Sequence, residues 1–141
     1  MRLRPSMLIA YIMAISTALA YATFLIAQFI PIAVIENQFD YLPMEKKIYH
    51  EGEVIEYQVD FCKLIDAEGE MNFQLINGRS VLLGSLKSSI PKGCYKFTAN
   101  TISLPKGIHK GTYRLLITTT YKVWGLRSIT YPIFTEPFEV I

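Results

Sequence analysis

The chain has 141 residues, 51% of them hydrophobic and 18% charged, and a formal net charge of +2. A balance that close to neutral argues against a dedicated polyanion binder, and nucleic acid is not an expected partner. Two cysteines and two histidines are too few for a disulfide-dense scaffold or a His-rich metal centre, so no metal or cofactor is expected.

Residues 7–35 contain no charged side chain. A helix crosses a hydrocarbon core ~30 Å thick with roughly 20 apolar residues, so this run reads as a membrane span touching lipid directly. Ser16, Thr17 and Thr23 can bond back to carbonyls one turn earlier, and Pro31 would loosen the helix near its far end. Arg2 and Arg4 precede the run while Glu36 and Asp40 follow it. The positive-inside rule then keeps residues 1–6 cytoplasmic and exports the C-terminal part, as in a signal-anchor. A cleaved signal peptide is the rival, since Ala18-Leu19-Ala20 and Ala20-Tyr21-Ala22 both fit a small-x-small cleavage site. Cleavage there would leave an exposed apolar tail, which favours the uncleaved anchor. Both readings place the domain in a periplasmic or extracellular compartment.

Residues 36–46 read as a connector and residues 47–141 as one domain. Residues 36–70 hold ten acids and three bases, and residues 71–135 hold nine bases and no acid. Acidic early strands lying beside basic later ones would explain this through cross-strand pairing. A basic face meeting an anionic partner would explain it too. Lys92, Lys106 and Lys110 occupy turns, and turns gather at the two ends of a sandwich, so the three are expected to collect near one rim. These three lysines are therefore the candidate partner-binding residues, the partner being a protein or an anionic glycan.

The two cysteines, Cys62 and Cys94, are expected to pair as a disulfide in an oxidising compartment. Ile55, Tyr57, Val59 and Phe61 alternate with Glu56, Gln58, Asp60 and Cys62, the period of a half-buried strand. Cys62 falls on the polar face of that register, so the bridge implies a bulge or a position at the strand end. Residues 71–76 continue the pattern, and Asn77-Gly78 is the strongest hairpin signal in the chain. Further strands are predicted over residues 80–87, 94–98, 111–124, 129–134 and 137–140. In the longest of these, Tyr113, Leu115, Ile117, Thr119, Tyr121 and Val123 share a face. Pro132 and Pro137 point to edges or bulges. About seven short strands with regular turns predict an all-β, antiparallel immunoglobulin-like sandwich behind one transmembrane helix.

The stretch Leu104-Pro105, Ile108, Gly111-Thr112-Tyr113-Arg114-Leu115 resembles the approach to a late strand of immunoglobulin-like sandwiches. There a corner tyrosine donates its hydroxyl to backbone just upstream, a role open to Tyr113. An aromatic core residue after a glycine turn accounts for Tyr113 equally well. Trp124 follows both cysteines, unlike the arrangement in antibody variable domains. The set Tyr57, Phe61-Cys62-Lys63, Pro91-Lys92-Gly93-Cys94, Leu104-Pro105, Gly111-Thr112-Tyr113-Arg114-Leu115, Tyr121, Leu126-Arg127 and Thr135-Glu136-Pro137-Phe138-Glu139-Val140 resembles small uncharacterised membrane-anchored proteins of tailed phages. That resemblance implies a phage or prophage setting and no assigned activity.

An enzyme should present an acid/base pair, an activated nucleophile or a metal cluster. His50 and His109 stand singly in turn-like stretches, and no catalytic residue is expected. The chain is thus expected to be a non-enzymatic binding module held at a membrane. The alternative is a structural subunit of a membrane or virion assembly, packing through the Ala10, Ala14, Ala18, Ala22 stripe of its anchor.

Overall fold

A computed structural model describes residues 4–125 and 127–141. Arg2 and Leu126, both used above, lie outside the described residues. The chain divides into two compact units, Met1–Ile32 and Ala33–Ile141.

The first unit is helix α1 (Pro5–Phe29), 25 residues long, which at 1.5 Å per residue is about 37 Å. Pro5 stands at its first turn, where a missing N–H is harmless. Ser16 and Thr17 donate to the Met13 carbonyl at 2.9 and 2.8 Å, and Thr23 donates to the Leu19 carbonyl at 2.8 Å. Each hydroxyl is thereby satisfied by its own helix. By length and composition α1 is able to cross a membrane. It ends at Phe29, short of Pro31, so the uncharged run to Ile35 is not one helix as expected.

Ile35 already belongs to strand β1 (Ile35–Asn37), and Val34 and Leu42 are buried in the second unit. Residues 36–46 are therefore part of the domain rather than a free connector. Strands β2 (Ile48–Tyr49), β3 (Val54–Lys63), β4 (Gly69–Asn77), β5 (Arg79–Ser88), β6 (Gly93–Ser103), β7 (Gly111–Val123), β8 (Arg127–Phe134) and β9 (Phe138–Val140) follow. The described residues thus hold nine strands where about seven were predicted; β1 and β2 are the additions.

One sheet has the order β1-β3-β6, the other β2-β9-β7-β4-β5, with β8 also paired to β7. The pairs are antiparallel except β2 with β9, which is parallel. The second sheet is therefore mixed rather than wholly antiparallel. Strand β7 is long enough to pair with β9 over Gly111–Tyr113 and then with β8 over Leu116–Val123. Thr135 makes the corner between β8 and β9: its N–H donates to the Leu115 carbonyl at 2.9 Å and its hydroxyl accepts the Leu115 N–H at 3.0 Å.

Ile55 and Tyr57 of the first sheet share one core with Leu75, Leu115, Ile117 and Phe138 of the second. The two sheets are thus the layers of a sandwich. Alternation decides what enters it: on β7, Tyr113, Leu115, Ile117, Thr119, Tyr121 and Val123 are all buried, the face read from the sequence. Two irregularities reshape the sheets. Thr98 and Ala99 of β6 stand opposite Gln58 alone, and Leu83 of β5 is the extra residue beside Phe73 and Gln74. Such bulges re-aim the residues beyond them.

Candidate functional site

Lys92 precedes β6, while Lys106 and Lys110 follow it, so the eleven residues of β6 separate them. Antiparallel pairing with β3 puts Lys92 at the Lys63 end and the other two at the Val54 end. The three lysines do not form one rim. Carboxylates cap the backbone of two of these turns, and one acid–base pair lies across the β3–β6 strands. Asp66 Oδ1 accepts the Lys92 N–H at 2.7 Å, and Glu51 Oε2 accepts the Gly107 N–H at 2.7 Å. On β6, Lys96 lies 4.0 Å from Asp60.

Cys62 and Cys94 form a disulfide and are directly opposite each other in the β3–β6 register. They share the outer face of the sheet with the Asp60–Lys96 pair. The sequence put Cys62 on that face correctly; the bridge needs no special bulge there because Cys94 faces the same way. Its effect is to hold one end of both strands.

That end is closed from inside by Lys63, the next inward residue after Phe61. Lys63 is only 3% exposed, and its ammonium donates to the carbonyls of Ala67 and Ile90. These belong to the β3–β4 and β5–β6 connections, so one side chain ties two loops together. Its Nζ stands 5.3 Å from the centre of the Tyr121 ring. Burial lowers the Lys63 pKa, opposed in part by the charge of Asp66. Nothing in the composition singled Lys63 out, although strict alternation from Ile55 places residue 63 inward. Tyr131 accepts the Val34 N–H at 2.8 Å and packs edge-on to Tyr121. The chain therefore enters the domain at this same end.

Two tyrosines brace the connections of β6. Tyr113 donates to the His109 carbonyl at 2.8 Å, the corner role suggested by the sequence, and Tyr95 donates to the Pro91 carbonyl at 2.7 Å. Each follows a glycine at φ 151, Gly111 and Gly93.

The opposite situation holds along the side where β5 and β6 end their sheets. Val81 and Leu86 pair with the inward-facing Leu75 and Met71, so they face inward as well. They are nevertheless 47% and 55% exposed, and Phe97, paired with Val59 on β6, is 39% exposed. Between the sheets lies a cavity of about 130 Å³, whose lining includes Tyr57, Lys63, Met71, Phe97 and Asn100, and Ser88 from β5. Burial pushes the Tyr57 hydroxyl up to about 12. Among the described residues no strand pairs with the outer edge of β5, which also presents backbone N–H and C=O groups. An apolar slot beside a free edge suits an extended peptide. Among the described residues, no three His, Cys, Asp or Glu side chains gather as a metal site requires.

No family model and no curated protein matches the chain. Among solved structures, the sporulation control protein Spo0M from Bacillus subtilis is similar with a TM-score of 0.40 and 14% identity, over 77% of this chain and 50% of that one. The chain thus spans half the length of Spo0M. The CARDB domain of the PF1109 protein from Pyrococcus furiosus, determined with di-metal ions, is similar with a TM-score of 0.40 and 13% identity, over 79% of this chain and 93% of that domain.

Proposed function

We propose that the chain is a single-pass membrane-anchored binding module, with an immunoglobulin-like sandwich displayed outside the cytoplasm. The reading is non-enzymatic: the domain engages a protein partner as an extended segment along β5. The observation that carries it is the exposure of Val81, Leu86 and Phe97 on inward faces at the open side of the sandwich. An added strand would satisfy the β5 edge and cover these side chains together. The anchor is supported by the length and composition of α1, and export by the Cys62–Cys94 disulfide, which persists in oxidising compartments. The basic turns are not needed for this role.

A photo-crosslinking residue at Val81 or Leu86, in the full chain produced in its host membrane, tests it. Adducts to one polypeptide should form from both positions and not from Glu139, on the far side of the second sheet. Equal adducts from all three positions, or none from Val81 and Leu86, would reject the open side as the binding surface.

A further inference from the structure

Strand β7 ends at Val123 and β8 begins at Arg127, so Trp124 stands at the tip of their hairpin. Trp124 is the only tryptophan of the chain and is 64% exposed. It is also the only non-glycine at positive φ among the described residues, at 53°, followed by Gly125 at 66°. Left-handed backbone is uphill for a bulky side chain, and asparagine or glycine would fit more easily. The tip therefore holds a large amphipathic ring outside the core in a conformation that disfavours it.

The position of this tip is set by its neighbours. Tyr121, three residues earlier, packs on Tyr131, which binds the Val34 N–H. Ile35 pairs with Lys63, and the Leu64 N–H donates to the Val34 carbonyl at 2.8 Å. The chain entry at Val34 and the Trp124 tip thus lie at one end of the sandwich. Leu64, 37% exposed, is at that end as well. Only residues 30–33 separate α1 from Val34 in sequence. With α1 ending at Phe29, extended chain lets Val34 lie at most about 18 Å from the helix end, within reach of the surface of a bilayer that holds the anchor.

We infer that the β7–β8 tip is a second membrane contact, in which Trp124 inserts at the headgroup level of the bilayer that holds the anchor. The inference rests on the membrane-anchored reading above. Indole rings favour that layer because one edge is apolar and the N–H finds polar partners there. Asp66, Glu68 and Glu70 share this end with Lys87, Lys92, Lys122 and Arg127, an excess of a single base, so charge gives no strong selection for an anionic surface. A zwitterionic phosphatidylcholine interface meets the requirement. The contact restrains the tilt of the domain on its short tether and leaves the open β5–β6 side free along the sandwich flank.

The full chain, reconstituted in phosphatidylcholine vesicles, reports on this through its one tryptophan. Vesicle flotation gives the anchor independently of the tip. With lipids brominated near the headgroup, a floated chain should lose most of its Trp124 emission; bromines near the acyl ends should quench it less, and aqueous iodide hardly at all. A floated chain whose emission is quenched by iodide but not by bromolipid would overturn the tip contact and leave the anchor standing. Shielding from both quenchers would mean that protein covers the tip, which also overturns it. A chain that does not float would overturn both readings.

Discussion

The ring of Tyr121 lies across Gly69, its partner in the β4–β7 register, so closely that a Cβ on Gly69 would come 2.7 Å from Tyr121 Cε1. That missing side chain lets Tyr121 stand next to the Lys63 ammonium and against Tyr131. The whole closed end of the sandwich therefore depends on a glycine. Gly69→Ala should destabilise the domain by ~1–3 kcal/mol, the usual result of overpacking, read from urea unfolding. An unchanged midpoint would mean that the ring moves aside freely.

Tyr49 is 1% exposed and packs edge-on to Phe138 at 5.4 Å; its buried hydroxyl makes no hydrogen bond of good geometry among the described residues, and the backbone at Lys46 and Glu56 gives it only weaker support. A buried hydroxyl so weakly partnered carries a desolvation cost that is not fully repaid. Tyr49→Phe should accordingly leave stability unchanged or raise it by about 1 kcal/mol. A loss of more than that in thermal unfolding would show a partner for the hydroxyl.

Tyr113 and Tyr95 make the same i to i−4 bond in different surroundings: Tyr113 is 7% exposed and Tyr95 is half-buried. Tyr113→Phe should cost about 1–2 kcal/mol, since it leaves a carbonyl less satisfied near the core, and Tyr95→Phe about 0.5 kcal/mol. Equal losses from the two variants would contradict the role of burial.

Alkaline pH should loosen the domain through its tyrosines. The Tyr57 hydroxyl titrates at about 12 in the folded domain, against 10.0 ordinarily. Between those values the unfolded chain has lost the proton and the folded one keeps it, so stability is full below pH 10 and falls as pH rises towards 12. Burial raises Tyr49 and Tyr121 in the same direction. Lys63 acts oppositely: its pKa is depressed, so its penalty is relieved as pH climbs towards 10.5. Tyr57→Phe should flatten the fall by roughly 2–3 kcal/mol at the alkaline end. Denaturation midpoints across that window, with and without the substitution, check it.

Much of the sandwich was legible because alternation is a strong signal wherever one face is buried. It placed β3, β4 and β7, and Asn77-Gly78 marked the β4–β5 turn, where Gly78 takes φ 65. Strand β1 was hidden because Ile35 ends an apolar run, and nothing local separates a strand residue from a membrane residue there. The second half of β6 was missed because the Thr98–Ala99 bulge shifts the inward face from Tyr95 and Phe97 to Asn100 and Ile102. Ser89-Ile90-Pro91-Lys92-Gly93 and Ser103-Leu104-Pro105-Lys106-Gly107 are alike in sequence, but the structural likeness lies in Gly93-Cys94-Tyr95 and Gly111-Thr112-Tyr113. The open side was not legible, because exposure of Val81 and Leu86 depends on where the facing sheet stops. The three lysines fall at opposite ends because β6 runs on for eleven residues from Gly93 to Ser103 between them, past the bulge that hid its second half.

The most direct measurement is the intact mass of the chain from the membrane fraction, alkylated before and after reduction. A membrane-held, exported domain predicts a product that still carries the α1 segment Pro5–Phe29, with no thiol alkylated before reduction and Cys62 and Cys94 both alkylated after it. A soluble product beginning near Thr23, or two thiols alkylated without reductant, would contradict it.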